Sequence, residues 1–300
     1  MELKHLSDLK QIVAGRPRRK LVLAAAQDQH SLGAVMRAWQ DDIIEPVLVG
    51  DKEGIHSICE ENGYSVSGLT IVHQPDIDLA AETAVRMLSL KQADVLMKGK
   101  IGTSALLKRV LNREWGLRTG NLLSHIALFE VETYHKLIAV TDVAMNIAPN
   151  LRDKIAIVNN SVSFLHSLGY QMPKVAVLGA VEMVNENMEA TLHAALLSKM
   201  NQRDQIRHCI IDGPLAFDNA ISLESARHKG IKSDVAGDTD LLLMPDIEVG
   251  NVLYKSLVFF ARAKVASMIL GASVPIVLTS RSDSEQAKYD SILLSAAASK

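Results

Sequence analysis

The chain has 300 residues, of which 48% are hydrophobic and 22% are charged, and this balance is typical of a folded globular protein rather than a disordered one. Its 32 lysines and arginines are balanced by 34 acidic residues, and only 4% of the residues are aromatic. No nucleic-acid partner is therefore expected, because binding one needs a basic surface and aromatic stacking platforms. At roughly 100–200 residues per domain, the length predicts two domains.

Short apolar runs of strand length recur along the chain, and small or polar residues and helical patterns separate them. Continuous apolar runs are typical of parallel strands that are covered on both faces. Alternation of such strands with helices predicts an α/β fold with right-handed crossovers. The predicted strands are Leu21–Ala26, Pro46–Val49, Leu69–Val72, Asp94–Met97, Lys174–Leu178, His208–Ile211, Asp240–Met244 and Pro275–Leu278.

The middle of the chain breaks this alternation with two strand-like runs, Ile126–Val131 and Lys136–Thr141, which only a short polar segment separates. A parallel pair would need a longer crossover, so the sequence predicts an antiparallel hairpin. We place a domain junction here and expect the last strand and helix to return to the first domain. The prediction is a discontinuous first α/β domain of residues 1–122 and 270–300, a second α/β domain of residues 123–269, and a cleft between them.

No segment of the sequence predicts a membrane span or a disulfide framework. The most hydrophobic late segment, residues 252–272, is interrupted by three basic residues, and charges occur throughout the first twenty residues. Cys59 and Cys209 lie far apart in apolar surroundings. We therefore expect a reduced, soluble protein of the cytoplasm.

Polar residues that follow the predicted strands are site candidates, because open parallel sheets bind ligands at the carboxyl ends of their strands. The segment Lys98–Ser104 suits a phosphate best, since its two glycines let the backbone approach an anion and Thr103 opens a helix. A capped loop with solvated lysines is the alternative. Before the last helix, Arg281 could bind a phosphate or a carboxylate through two hydrogen bonds, although Asp283 could equally be present only to cap that helix.

Other candidates have a structural alternative of similar weight. An isolated histidine such as His125 is more often structural than catalytic, and Asp142 and Asn146 could cap the turn that follows the hairpin. Acidic residues between 234 and 251 could attract a metal, and Asn251 could cap a helix. No spacing in the sequence matches a known metal site, so we predict no metal.

Taken in chain order, these segments resemble the phosphate acyltransferases, the family of phosphate acetyltransferases and phosphate butyryltransferases. The resemblance covers most of the chain from about Asp94 onward. The combination of Asp-Gly-Pro-Leu, Val-Ala-Gly-Asp, Gly-Asn-x-x-Tyr-Lys and Ser-Arg is specific to the family, and Lys98–Lys100 and Thr279–Asp283 look like its butyryl branch. The similar segments are Met97–Ser104, Thr141–Asn146, Val175–Gly179, Ile211–Ala220, Ser233–Asp240, Pro245–Lys255 and Pro275–Arg281.

The resemblance implies a two-domain, three-layer α/β/α fold similar to that of the isocitrate and isopropylmalate dehydrogenases, in a homodimer or higher homo-oligomer. It implies a reversible reaction in which acyl-CoA and inorganic phosphate give acyl phosphate and CoA by direct attack, with no metal and no cofactor. Ser280 and Arg281 match the active-site pair of the family, and Asp283 or Glu285 would handle the thiol proton.

The predicted site therefore has a catalytic and a substrate-binding part. The predicted catalytic residues are Ser280, Arg281 and Asp283. The predicted substrate-binding residues are Lys98, Gly99, Lys100, Gly102, Thr103, Ser124, His125, Asp142, Asn146, Asp212, Gly237, Asp246 and Asn251. Two alternative functions stay open: an acyl-CoA-sensing module without catalysis, and a dehydrogenase of the same fold. Loss of the Ser280–Arg281 pair would have favoured the first, and a cluster of metal-binding aspartates would have favoured the second.

Overall fold

The computed structural model describes residues 3–280 and 283–299, in which strands and helices alternate. The strands are β1 Arg19–Ala24, β2 Ile44–Gly50, β3 Thr70–His73, β4 Val95–Lys98, β5 Ser124–Glu130, β6 Ile138–Thr141, β7 Lys174–Leu178, β8 Ile210–Leu215, β9 Leu241–Leu243, β10 Lys264–Leu270 and β11 Ile276–Val277. The helices are α1 Leu9–Val13, α2 Gln29–Gln40, α3 Lys52–Glu61, α4 Ile77–Ser89, α5 Thr103–Val110, α6 Leu151–Ser167, α7 Glu189–Gln202, α8 Phe217–Ile221, α9 Leu223–His228, α10 Ile247–Phe259 and α11 Glu285–Ala298.

These elements confirm the predicted α/β class and the predicted hairpin, in which β5 and β6 pair antiparallel. Two strand predictions need correction. β10 is a strand that the sequence pattern does not predict, and β8 extends beyond the end of the predicted strand His208–Ile211. Because β8 continues to Leu215, Asp212 and Gly213 lie inside that strand rather than after it.

Packing divides the chain into two compact units. The first unit contains Leu9–Asn121 and the described residues of Ala266–Lys300, and the second contains Leu122–Val265 and the described residues of Met1–Asp8. That residues 1–122 with 270–300, and residues 123–269, form separate domains stays a prediction.

In the first unit the strand order is β3-β2-β1-β4-β11-β10. The chain moves in one direction along the sheet from β1 through β2 to β3, and α4 then carries it back past β1 to β4. With right-handed crossovers, α2 and α3 lie on one face of the sheet and α4 lies on the other. Consistent with this arrangement, α2 packs against α11, whereas α4 packs against α5. The direction of the crossovers therefore reverses between the neighbouring parallel strands β1 and β4.

In the second unit the strand order is β5-β6-β9-β7-β8. β6, β9, β7 and β8 are parallel, so their carboxyl ends share one edge of the sheet. Since β5 is antiparallel to β6, the amino end of β5 lies at that same edge. Ser124 and His125, which begin β5, are thereby placed beside Asp142, which follows β6.

Aspartates start the helices that follow the first strands of the first unit. The side chains of Asp28, Asp51 and Asp76 accept hydrogen bonds from backbone N–H groups in the first turns of α2, α3 and α4. Such a cap satisfies an N–H group that has no partner inside the helix and places a negative charge at the positive end of the helix dipole.

Across residues 3–280 and 283–299, no helix combines the length and the apolar character that crossing a lipid bilayer requires.

Candidate functional site

The loop after β4 lies directly against the loop after β1. The N–H groups of Gly99 and Lys100 donate to the carbonyl oxygens of Ala24 and Ala25 at 2.9 and 2.8 Å. A Cβ on Gly99 would stand 2.3 Å from the Ala25 oxygen, so only glycine allows this approach. The two loops therefore meet at the point where the crossovers reverse, which is where open α/β sheets bind ligands.

The helix that leaves this loop differs from its neighbours at its start. Gly102 occupies the N-cap position of α5 and offers no side-chain acceptor, whereas aspartates cap α2, α3 and α4. The first N–H groups of α5 have no partner inside the helix, and the exposed Thr103 and Ser104 add hydroxyl groups there. This end of the helix is suited to bind an anion.

The two lysines of the loop have different positions. Lys98 is 6% exposed, and its Nζ donates to the carbonyl oxygens of Gly99 and Ile101 at 3.3 and 3.4 Å. Lys98 therefore stabilises the loop through these backbone contacts, which contradicts the alternative of a solvated lysine at this position. Lys100 is exposed. Both lysines place positive charge at the loop that Gly99 and Gly102 shape.

The turn before α11 is held by a buried lysine that the sequence analysis did not single out. Nζ of Lys288 donates to the carbonyl oxygens of Ser280 and Asp283, each at 3.0 Å, and the Ser280 N–H donates to Oδ2 of Asp283 at 2.7 Å. Ser284 caps α11, so the alternative that Asp283 is present only to cap this helix is wrong. Asp283 instead closes the turn beside Ser280. Arg281, which is predicted to be catalytic, lies outside the described residues.

Charges of both signs surround this turn. Burial lowers the pKa of Lys288, and the nearby carboxylates of Asp283 and Asp28 oppose that effect. Burial would raise the pKa of Asp28, but hydrogen bonds from Ser31 and the charges of Lys288 and Lys98 bring it below its ordinary value. Asp28 thus stays ionised between two lysines. Asp28 could be identified from the sequence because it follows a predicted strand. Lys288 could not, because it lies inside a helix, where the sequence pattern does not mark a site residue.

The two candidate carboxylates for the thiol proton have separate surroundings. The carboxylate of Asp283 is bonded to the backbone of Ser280. The carboxylate of Glu285 instead faces α2, where its Oε2 would stand 2.8 Å from a Cβ on Gly33, next to the hydroxyl of Tyr64. Asp283 is therefore the acid that shares a turn with the predicted catalytic serine.

In the second unit, Asp142 organises the turn after β6. Its Oδ1 accepts from the N–H groups of Ala144 and Met145, each at 2.9 Å, and its Oδ2 accepts from the His125 N–H at 3.1 Å and the side-chain amide of Asn146. Asp142 is 3% exposed. The structure thus brings His125, Asp142 and Asn146 together, in contacts that also account for the turn itself.

His125 is buried and neutral. Burial lowers the pKa of its imidazole to about 4, and the negative charge of Asp142 opposes this only in part. Nδ1 is a buried atom without a hydrogen-bond partner. We assign the ring proton to Nε2, because a buried N–H donor without a partner is rarer than a buried acceptor without one. The ring lies edge to face with Tyr254 at a centroid distance of 6.2 Å.

Three further predicted residues of the second unit, Ser124, Asp212 and Gly237, have clear structural contacts. Ser124 accepts from the Asn160 amide at 3.0 Å, and Asp212 accepts from its neighbour Gly213. Gly237 has a φ of +78°, and a Cβ there would stand 2.5 Å from the Leu223 backbone.

Asp246 and Asn251 belong to α10. Asp246 caps this helix through the Val249 N–H at 2.9 Å. Asn251 lies inside the helix, so its predicted capping role is wrong, and its amide donates to the Val143 carbonyl oxygen at 3.3 Å. Both residues lie at the carboxyl edge of the second unit with Asp142.

One group of possible metal ligands occurs in the described part of the chain. Asp51, Glu53 and His73 each offer a ligand atom, and these atoms lie within 4.8 Å of one another. Asp51 already caps α3, and Nδ1 of His73 accepts from the Lys52 N–H at 3.1 Å. These contacts explain the cluster without a metal ion.

Comparisons with known proteins point to one family. The family described as phosphate acetyl/butaryl transferase matches residues 73–296. The phosphate butyryltransferase of Clostridium acetobutylicum is 46% identical over 294 residues, which cover 98% of each chain. The phosphate acetyltransferase of Thermotoga maritima is 47% identical over 278 residues, 93% of this chain and 94% of its own. The solved structure of a branched-chain phosphotransacylase from Enterococcus faecalis V583 is 34% identical, with a TM-score of 0.83, and covers 93% of this chain and 98% of that one.

The state of His125 leads to a testable prediction. Because burial brings the pKa of the folded-state imidazole to about 4, the ring should stay neutral, with its proton on Nε2, at every pH above about 5. As the pH falls from about 6.5 towards 4, the unfolded chain binds a proton that folded His125 rejects, so the protein loses stability. Nuclear magnetic resonance of labelled histidine rings measures both properties, and His125→Gln should remove this part of the stability loss. A His125 ring that titrates near pH 6.5 would contradict the assignment.

Proposed function

The chain belongs to the phosphate acetyl/butyryl transferase family, and on this basis we propose that it transfers a short acyl group reversibly between coenzyme A and inorganic phosphate. We propose butyryl and acyl groups of similar length as the preferred substrates, since the motifs around Lys98 and Ser280 look like the butyryl branch. The relative from Clostridium acetobutylicum carries the same preference in its name.

The observation that carries this proposal is the meeting of two loops at the crossover reversal of the first unit. There Gly99 packs against Ala25, and α5 begins with Gly102 instead of an acidic cap. Free N–H groups, hydroxyl groups and lysines are the partners that a phosphate anion requires. The sequence does not show the cluster of metal-binding aspartates expected of a dehydrogenase of this fold, and a sensing module needs no Ser280–Arg281 pair.

The reaction requires an anion site, a donor for the developing oxyanion and a route for one proton. A phosphate oxygen attacks the thioester carbonyl carbon, the new C–O bond forms, and the C–S bond then breaks as the tetrahedral intermediate collapses. Arg281 and the start of α5 would hold the phosphate, and Ser280 would donate a hydrogen bond to the oxyanion. One oxyanion donor is worth roughly 3 kcal/mol in other enzymes.

The proton that phosphate loses must reach the departing thiolate sulfur. We propose that Asp283 carries it, because this carboxylate shares a turn with Ser280, whereas Glu285 faces α2. A carboxylate held near the reacting atoms can act first as base and then as acid.

We further propose that the enzyme works without a metal ion or cofactor, in the cytoplasm and as a homodimer or larger homo-oligomer. Acyl-CoA and inorganic phosphate are then its substrates in one direction, and acyl phosphate and coenzyme A are its substrates in the other. The substrate contacts predicted for His125, Asp142 and Asn146 stay a prediction, and each of these residues has a structural role as well.

The substrate preference can be measured with a series of acyl-CoA thioesters. Release of free CoA should depend on added phosphate, and kcat/KM should be higher for three- to five-carbon acyl groups than for acetyl-CoA. Burial of one CH₂ group contributes about 0.8 kcal/mol, so two of them give butyryl-CoA an advantage of roughly fifteenfold. Release that a chelator abolishes, or a higher kcat/KM for acetyl-CoA than for butyryl-CoA, would contradict the metal-free and butyryl parts of the proposal, respectively.

The role of Arg281 can be tested by replacing its side chain in two steps. Arg281→Ala removes both the charge and the paired hydrogen bonds. The activation free energy that kcat/KM reports should therefore rise by about 2–4 kcal/mol, by analogy with lost oxyanion donors. Arg281→Lys keeps the charge but not the planar fork and should recover only part of the loss. Arg113→Ala, at an exposed arginine in the same unit, is the matched control. Near-normal turnover by a folded Arg281→Ala variant would remove Arg281 from the mechanism.

A further inference from the structure

Two lysines of the second unit are equally buried but have opposite surroundings. Lys136 and Lys154 are each 4% exposed. Nζ of Lys136 lies 2.8 Å from a carboxylate oxygen of Asp238 and 2.6 Å from one of Asp240. Nζ of Lys154 lies 3.0 Å from Nδ1 of His193, and no described carboxylate oxygen lies within 4.0 Å of it. Lys154 is therefore a buried cation without a counterion.

The pKa values of the two lysines differ in the direction that these contacts imply. Burial would lower the pKa of Lys136, but the hydrogen bonds from Asp238 and Asp240 raise it above its ordinary value. Burial lowers the pKa of Lys154, and the more distant charges of Glu189 and Asp246 do not restore it. Burying an ammonium group without a counterion destabilises a protein, so Lys154 reduces the stability of the free chain.

The position of Lys154 adds to this cost. It is the fourth residue of α6, near the positive end of the helix dipole, where a cation is unfavourable. His193 is the fifth residue of α7. Since α6 follows β6 and α7 follows β7, both side chains lie towards the carboxyl edge of the sheet, where Asp246 begins α10. An anion bound at this place would offset both the burial of the ammonium without a counterion and its position near the positive end of the helix dipole.

His193 holds the Lys154 ammonium in place. Its Nδ1 faces the Lys154 ammonium and accepts from it, so the proton of the neutral ring is on Nε2. Nε2 lies 3.6 Å from a carboxylate oxygen of Glu189, whose side chain is 81% exposed. Burial lowers the pKa of His193, and the charge of Lys154 lowers it further, so the ring stays neutral and adds no second positive charge. His193 is therefore a positioning residue for the ammonium.

We propose that Lys154, which His193 holds in place, forms a binding site for a phosphate monoester or free phosphate dianion. The inference rests on the proposed function for its two sources, which are inorganic phosphate and the 3′-phosphate of coenzyme A. Two N–H groups of the Lys154 ammonium remain after its bond to His193. A buried cation with two such donors matches two oxygen atoms of a phosphate group.

The test combines stability with equilibrium binding, so that it needs no turnover. Lys154→Met removes the buried charge at similar volume and should raise the melting temperature or leave it unchanged in phosphate-free buffer. Lys136→Met is the matched control and should lower the melting temperature, because it leaves Asp238 and Asp240 without their buried partner. A Lys154→Met variant that loses as much stability as Lys136→Met would show that Lys154 is only structural and would overturn the proposal.

Calorimetric titration with inorganic phosphate, coenzyme A and 3′-dephospho-coenzyme A identifies the anion. If the site binds inorganic phosphate, Lys154→Met should weaken phosphate binding at least tenfold and leave both coenzymes unchanged. If it binds the 3′-phosphate, the variant should weaken coenzyme A binding at least tenfold and bind the dephospho form as the wild type does. Affinities within twofold of the wild type for all three ligands would overturn the proposal. Wild-type protein that binds none of the three would instead contradict the proposed function.

Discussion

The close approach of Gly99 to the loop after β1 is the constraint on which the candidate site depends. Two backbone hydrogen bonds, to the carbonyl oxygens of Ala24 and Ala25, join the ends of β1 and β4, and no side chain fits between them. This contact fixes where the chain leaves β4 and therefore where α5 begins. The crossovers reverse at the same place, which is where open α/β sheets bind ligands.

Both units show how a charge arrangement that is unfavourable in the free protein indicates a binding site. In the first unit, aspartates cap the helices after β1, β2 and β3, but the helix after β4 begins at Gly102 without a side-chain acceptor. In the second unit, Lys136 has two carboxylate partners and Lys154 has none among the residues described. Each contrast compares positions of the same unit, so the fold itself supplies the control. A phosphate group would complete either site.

The sequence predicts those features that depend on neighbouring residues. Continuous apolar runs predicted β1, β4 and β9, and the short link after β5 predicted the hairpin, because both signals are local. β10 was missed because its apolar residues continue those of α10, and no strand period separates the two elements. The sequence predicts that residues that follow strands, such as Asp142 and Gly99, lie at the carboxyl edge of their sheet. It gives no such signal for Lys288, Lys154 and His193, since they lie inside helices and only tertiary packing gives them their contacts.

Adding the missing cap tests whether the uncapped start of α5 binds phosphate. Gly102 has an extended backbone with a φ of −67°, and no atom lies within 4 Å of the place a Cβ would occupy, so Gly102→Asp and Gly102→Asn should both fold. Either side chain can cap α5, but only aspartate adds a negative charge to the proposed anion site. We expect the KM for inorganic phosphate to be at least tenfold higher in Gly102→Asp than in Gly102→Asn. Equal KM values in two folded, active variants would contradict it.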